Sequence, residues 1–150
     1  MVLPAIDWEP VLPNLIRVAI AYCLVLPLGW NRGKLEHGLS LRTFPLVALA
    51  ACGYVLIGEH VFGDNREAQA RIVQGLMTGI GFVGAGAIMK EGGTVHGAAT
   101  AATIWNTGAI GAAVAFGRYE IAVILTAVNF ATLHLSHPYT NRDKPPSNEE

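Results

Sequence analysis

Five long apolar stretches, separated by short polar segments, dominate the pattern of this chain. They cover residues 11–30, 43–63, 72–89, 97–117 and 121–136. Each is close to the length of about 20 residues that a helix needs to cross a bilayer. The last three contain no Asp, Glu, Lys or Arg. The pattern predicts an all-α fold: a membrane bundle of five transmembrane helices within residues 1–136, followed by a short polar cytoplasmic tail over residues 137–150.

The composition supports a membrane protein. Of the 150 residues, 52% are apolar and 14% are charged, whereas a soluble domain has about 25% charged residues. The net charge is −1 and no basic face is present, so nucleic acid is not an expected partner. Residues 1–10 contain Asp7 and Glu9 but no Lys or Arg. They therefore lack the basic region of a cleavable signal peptide.

Basic residues near the helix ends predict the orientation. One side of the predicted bundle holds six of them: Arg32, Lys34, Arg42, Lys90, Arg142 and Lys144. The other side holds three: Arg66, Arg71 and Arg118. Because basic residues gather on the cytoplasmic side, the count predicts an outside N-terminus and a cytoplasmic C-terminus.

The third stretch contains a literal G-x-G-x-x-G from Gly79 to Gly84. In a dinucleotide-binding protein this motif follows a strand, and an acidic residue follows about 20 positions later. Between Glu91 and Glu120 this chain has no acidic residue, and the motif lies inside an uncharged apolar run. A nucleotide site is therefore disfavoured.

The same glycines fit helix packing better. At 100° per residue, one side of a helix holds Gly75, Gly79 and Gly86, and nearly the opposite side holds Gly81 and Gly84. Residues Gly75 and Gly79 have the small-xxx-small spacing that lets helix backbones approach closely in lipid. We therefore expect the third helix to be the central packing helix, held between two neighbours.

Polar residues also recur inside the fourth and fifth stretches. Thr100, Thr103 and Thr107 follow one line of a helix. They fit a functional seam or, equally, hydroxyl groups that bond to their own helix backbone. Asn106 and Asn129 lie at similar predicted depth, where an amide needs partners. An interhelical contact between these two amides is one interpretation.

Two charges interrupt the first two apolar stretches, Arg17 and Glu59. Counted from His37 in the connecting loop, they are 20 and 22 positions away, so an antiparallel pair of helices would hold them at similar depth. An unpaired charge at the membrane centre costs at least about 2.5 kcal/mol. We expect the two to pair or to share a network, although each could instead reach the outer surface alone.

The remaining reactive side chains do not form a recognisable site. Cys23 and Cys52 lie in different helices and are expected to behave as small apolar residues rather than as a disulfide. The histidines show no metal-ligand spacing. No nucleophile lies beside a base at local spacing. The expectation is a protein without catalytic, cofactor-binding or resident metal-binding residues, and therefore not an enzyme.

Several motifs together resemble the MgtC/SapB family of bacterial inner-membrane proteins. They are the runs 41–43 (LRT), 71–75 (RIVQG), 78–86 (TGIGFVGAG), 95–97 (VHG) and 100–105 (TAATIW). The family-motif residues singled out in them are Arg42, Thr43, Arg71, His96, Thr100 and Trp105. Arg42 is expected to be an interfacial anchor rather than a ligand contact. The resemblance covers about residues 15–135 and corresponds to a short form without the C-terminal cytoplasmic domain of longer members.

The chain also departs from the family pattern. Ala68, Gln69 and Ala70 stand where many members have Asp-Pro-x before Arg71, and His96 stands where many have Arg. The resemblance implies a location in the bacterial inner membrane and a role in magnesium-limited growth or virulence. It implies a non-enzymatic regulator that contacts other membrane proteins or forms a homo-oligomer. The alternative is a transporter or channel for Mg²⁺ or another cation, in which Glu59 would be the metal ligand.

Overall fold

The computed structural model describes residues 8–33, 39–91 and 94–135, and within them five helices and one short hairpin. The helices are α1 (Val11–Gly33), α2 (Leu39–Phe62), α3 (Arg66–Ala85), α4 (Ala98–Ala115) and α5 (Tyr119–Leu135). The strands are β1 (Met89–Glu91) and β2 (Thr94–His96). The predicted tail over residues 137–150 and Lys34 of the first loop lie outside the described residues.

Four predicted helices match the observed ones to within four residues at each end, but α3 begins six residues earlier than predicted. The apolar run marks where a helix can be buried in lipid and not where it begins. The start of α3 is set by Asn65, whose side chain accepts a hydrogen bond from the Ala68 backbone N–H at 3.1 Å. Such a cap satisfies one of the free N–H groups at a helix start. Glu67 in the first turn adds a favourable charge there.

The apolar run of α3 does not continue as helix to residue 89, because the chain turns at Gly86 into the hairpin. The strands pair antiparallel, with Met89 opposite His96 and Lys90 opposite Val95. Gly97 then enters α4 with a φ of 82°, a left-handed conformation in which a Cβ would overlap the Ala87 carbonyl. Glycine is required there both by its backbone conformation and by the space.

The prediction that the third helix is the central one was wrong. Helix α4 packs against all four other helices, while α3 packs against α2 and α4. Helices α2 and α4 both run antiparallel to α3 and are therefore parallel to each other. The core lies between α1, α2 and α4, with Ala122 added from α5. Its largest fully buried side chains are Phe44, Leu28, Ile110, Val25, Val55 and Val114. In α3, only Gly84 is buried.

Two helices in the described part are long and apolar enough to cross a membrane, through the segments Val11–Gly29 and Arg42–Phe62. Helix α5 is apolar but shorter, at 17 residues. Many apolar side chains of this bundle are exposed, among them Phe82 of α3 and Val128 of α5. Large exposed apolar surfaces of this kind are typical of proteins that contact lipid or other membrane helices.

Candidate functional site

The two charges inside the helices meet in the structure. The Nη1 atom of Arg17 donates to Oε2 of Glu59 at 2.9 Å, and the same nitrogen donates to the backbone carbonyl of Ala115 at 3.0 Å. One guanidinium therefore joins α1, α2 and the carboxyl end of α4. The two side chains are 31% and 33% exposed, so the cluster is partly accessible at the surface of the bundle.

The two cysteines do not pair. Cys52 of α2 is buried in the core, as is usual for a small apolar residue, whereas Cys23 of α1 is exposed. Both are free thiols. Among the described residues, no group of three or more His, Cys, Asp or Glu side chains could hold a metal ion.

The threonines of α4 are buried within the bundle. Thr103 donates its hydroxyl to the Ala99 carbonyl at 2.8 Å, and Thr107 donates to the Ile104 carbonyl at 2.7 Å. Both hydroxyl groups therefore bond to their own helix, which favours the structural interpretation. Thr100 is also buried at the start of the same helix.

The contact proposed between the two amides is absent. Within the described residues, no hydrogen bond joins Asn106 to Asn129, and the buried Nδ2 of Asn129 has no partner. Asn106 is half-buried on α4. The interhelical interpretation of this pair is therefore wrong for the observed arrangement.

An apolar groove of about 490 Å³ lies between α2 and α3. On the α2 side it is lined by Val47, Ala50, Ala51 and Tyr54. On the α3 side it is lined by Ile72, Gly75, Leu76, Gly79, Ile80 and Val83. The groove closes toward the end of α2, where Gly58 lies against the side chain of Ile72. Its lining offers apolar contacts and exposed helix backbone, but no charged side chain.

The predicted packing role of the α3 glycines needs correction. A Cβ added at Gly75, Gly79 or Gly81 would meet no described atom within 4 Å, so these three do not pack against a neighbouring helix of this chain. Gly86 ends α3, and its nearest atom is the Val83 carbonyl of its own turn at 3.3 Å. Gly84 alone makes the predicted close contact, because its Cβ would lie 3.2 Å from the Ala101 carbonyl of α4.

The sequence also did not indicate the close approach of the α2 and α4 backbones. A Cβ at Gly111 of α4 would overlap the backbone carbonyl of Ala48 in α2. The Ala115 carbonyl was also missed as a partner of Arg17, because backbone atoms carry no signal in a sequence.

The family-motif residues do not form one cluster. Arg42 is exposed and Thr43 half-buried near the start of α2, while His96 is exposed in the hairpin and Thr100 is buried at the start of α4. These four lie toward the same end of the bundle, since α2 and α4 run parallel. Arg71 lies toward the other end, in an exposed ion pair with Glu67 at 2.7 Å. Trp105 is 48% exposed on α4.

The sequence profile of the MgtC family matches residues 18–142. The chain belongs to the MgtC family. This confirms the resemblance drawn from the sequence motifs, and the matched range includes Glu59 and all the family-motif residues but begins one residue after Arg17. Together with its apolar helices, membership of this family makes the chain a membrane protein.

Several named proteins align with most of the chain. Protein SrpB of Synechococcus elongatus is 35% identical over 143 residues, which cover 87% of this chain and 77% of SrpB. Protein MgtC of Brucella abortus is 36% identical over 132 residues, which cover 87% of this chain and 54% of that protein. YhiD of Escherichia coli K12, named as a candidate magnesium transporter, is 29% identical over 85% of this chain and 62% of YhiD. The chain thus spans about half the length of the Brucella relatives. No solved structure matches it.

Proposed function

We propose that this protein is a non-enzymatic regulator of the bacterial inner membrane, which acts by contacting another membrane protein. The family context links the proposal to magnesium-limited growth or virulence. The observation that supports it best is the apolar groove between α2 and α3, where Gly75 and Gly79 leave helix backbone uncovered. In lipid, association of helices depends on close packing, and small residues at a spacing of four permit it.

The proposed occupant of the groove is a transmembrane helix of the partner protein. The α3 side of the groove runs from Ile72 to Val83, a length of about 17 Å at 1.5 Å per residue. A partner helix could therefore lie against about three turns of α3. The lining contains no charge, so the partner face would be apolar and would also contain small residues.

Site-specific crosslinking tests this contact. A photoreactive amino acid in place of Gly79 should capture one defined membrane protein in native membranes, because position 79 lines the groove. The matched control is the same amino acid in place of Gly81, which is equally open but does not line the groove. Gly75→Leu should reduce capture at position 79 by filling the groove.

Three outcomes would contradict the proposal: equal capture at both positions, capture of lipid alone, or a product that contains two copies of this chain. The last would show a homo-oligomer instead of a separate partner. Each of these products differs in mass, so the crosslinked material identifies the occupant directly.

The alternative function is cation transport, which the name of YhiD favours. Mg²⁺ is usually held by carboxylates together with retained waters. Glu59 is the one carboxylate inside the apolar stretch of α2, and its Oε2 is engaged by Arg17. This engagement supports the regulator over the transporter. Purified protein in vesicles should give no Mg²⁺ influx above empty vesicles, and an influx that Glu59→Gln abolishes would reverse this ranking.

We further propose that all five helices cross the membrane with the N-terminus outside. The shortest, α5, has 17 residues and a length of about 26 Å, near the bilayer core thickness of about 30 Å. In a background that lacks Cys23 and Cys52, a single cysteine in place of Arg42 or of His96 should not react with an impermeant thiol reagent added to intact cells. A cysteine at Arg66 should react, and the reverse pattern would invert the topology.

A further inference from the structure

The carboxyl end of α4 depends on one donor from a distant helix. The last four carbonyl groups of a helix have no partner within it. Here Phe116 N–H donates to Ala112 at 3.0 Å, Gly117 N–H to Val114 at 3.0 Å and Arg118 N–H to Ala113 at 2.8 Å. The fourth carbonyl, that of Ala115, receives no backbone N–H from the described residues. Arg17 of α1 donates to it instead, at 3.0 Å.

The turn that follows α4 explains why an outside donor is needed. Gly117 has a φ of 69°, and the two bonds to Ala113 and Val114 form the Schellman arrangement that ends many helices. In this arrangement the N–H groups of the turn bond to earlier carbonyls, which leaves the buried Ala115 carbonyl without a backbone donor among the described residues. A guanidinium stabilises this helix end in two ways: it donates a hydrogen bond to the carbonyl, and its positive charge interacts favourably with the negative end of the helix dipole.

The turn between α4 and α5, which we call the corner, determines where α5 begins. Only three residues, 116 to 118, separate α4 from α5. The sole buried residue of α5 in the described range is Ala122, within the first turn after the corner. Beyond Ala122, Leu125 and Leu133 of α5 are partly buried against the core, whereas Val123, Ile124 and Val128 are exposed. A change in the corner would therefore act first on the start of α5, where Ala122 is the one fully buried residue of the helix.

We propose that Arg17 is a positioning residue that locks the corner between α4 and α5 against α1 and α2, and that Glu59 holds Arg17 in the locking position. The same Nη1 atom makes both bonds, so the position that satisfies Glu59 is also the one that caps α4. Because about a third of each side chain is exposed, the lock can open without disturbing the buried core. Loss of the Glu59 charge releases Arg17, and the corner then loses its cap.

The hydrogen-exchange rates of the backbone amides in the corner measure how firmly Arg17 holds it in place. In purified protein in lipid nanodiscs, Glu59→Gln should accelerate exchange at residues 116 to 118 and in the first turn of α5. The expected acceleration is about tenfold, the size that follows from weakening one charged hydrogen bond. Arg17→Met should accelerate the same amides by at least as much. Exchange in the first half of α4, around Thr103, should stay as in the parent protein.

Two controls separate the lock from general loss of stability. Arg118→Met removes an exposed ion pair at the same corner, in which Arg118 Nε donates to Glu120 Oε1 at 2.6 Å. It should leave the exchange of residues 116 to 118 within about twofold of the parent. Arg17→Lys keeps the charge and should give an intermediate effect, and it replaces Arg17→Met if that variant fails to fold.

The proposal is wrong if Glu59→Gln and Arg17→Lys both leave corner exchange unchanged. It is also wrong if they accelerate exchange equally along α1, α2 and α4, since the pair would then be an ordinary stabilising contact. The measurement involves no partner protein and no transport. Its result is therefore independent of the crosslinking and influx experiments above.

Discussion

Helices α3 and α4 contain similar small residues but use them in opposite ways. In α4, a Cβ at Gly111 would overlap the Ala48 carbonyl, and a Cβ at Gly108 would overlap the side chain of Ile80. In α3, a Cβ at Gly75 or Gly79 would meet nothing within 4 Å. Glycine thus permits a close contact within the chain in α4, whereas in α3 it leaves a surface open. Small-residue content alone does not tell a core helix from an interaction surface.

The difference arises from where each helix lies. Helix α4 is surrounded by four others, so its small residues decide how closely their backbones approach. Helix α3 lies at the side of the bundle, and two of its three open glycines, Gly75 and Gly79, line the groove beside α2. Van der Waals packing is a main source of helix association in lipid. The α4 glycines therefore contribute to the stability of the monomer, and the α3 glycines are free to contribute to association.

The largest expected effect is that of Gly111→Ala. The added methyl group meets backbone, which cannot rotate away, so α2 and α4 must separate. Overpacking of this kind costs about 1–3 kcal/mol, and thermal unfolding in mild detergent should show a clearly lowered Tm. Gly108→Ala is the matched control, because there the methyl group meets only the end of the flexible Ile80 side chain. If both variants lose the same stability, the close contact at Ala48 does not exist.

A smaller effect of opposite sign is expected for Gly79→Ala. The site is helical and open, so alanine reduces the freedom of the unfolded chain without a clash. The gain should be about 0.5–1 kcal/mol, visible as a raised Tm of the purified monomer. This reverses the expectation that follows from a packed central α3. A lowered Tm would indicate instead that Gly79 is packed against a neighbouring helix.

The smallest effect is expected for Gly84→Ala, at the one place where α3 does contact α4. The added carbon would lie 3.2 Å from the Ala101 carbonyl, which requires a shift of a few tenths of an ångström. The slight strain opposes the gain in helix propensity of about 1 kcal/mol. The unfolding free energy in detergent should therefore stay within about 0.5 kcal/mol of the parent. A loss as large as that of Gly111→Ala would make this contact as rigid as the one at Ala48.

Much of the fold was predictable because the helices are apolar throughout. Continuous uncharged runs mark α4 and α5 to within two residues. The start of α3 was missed because its first turn, from Arg66 to Ala70, is polar and is stabilised by the Asn65 cap instead of by burial. The hairpin after α3 was missed for the opposite reason. Met89 looks like the end of an apolar helix and Val95 like part of the following loop, and only the backbone pairing shows that they lie in strands.

The candidate site was predictable only in part. Depth counting from the connecting loop is enough to bring Arg17 near Glu59, because two consecutive helices must run antiparallel. It cannot find the Ala115 carbonyl, which is 98 positions away from Arg17 and reaches it through the packing of α1 against α4. The groove was hidden for a similar reason. Periodicity placed Gly75 and Gly79 on one face of a helix but could not say whether another helix covers that face.

The position of α4 in the chain has a consequence for how the protein is made. Its buried face covers Ala48 and Cys52 of α2 and Val25 of α1, yet it is the fourth helix to leave the ribosome. Domains form as their segments are synthesised, N-terminal parts first. Until residues 98 to 115 have been synthesised, α1 and α2 lack the surface that completes their core. A nascent chain that stops after α3 would therefore be a substrate for membrane quality control.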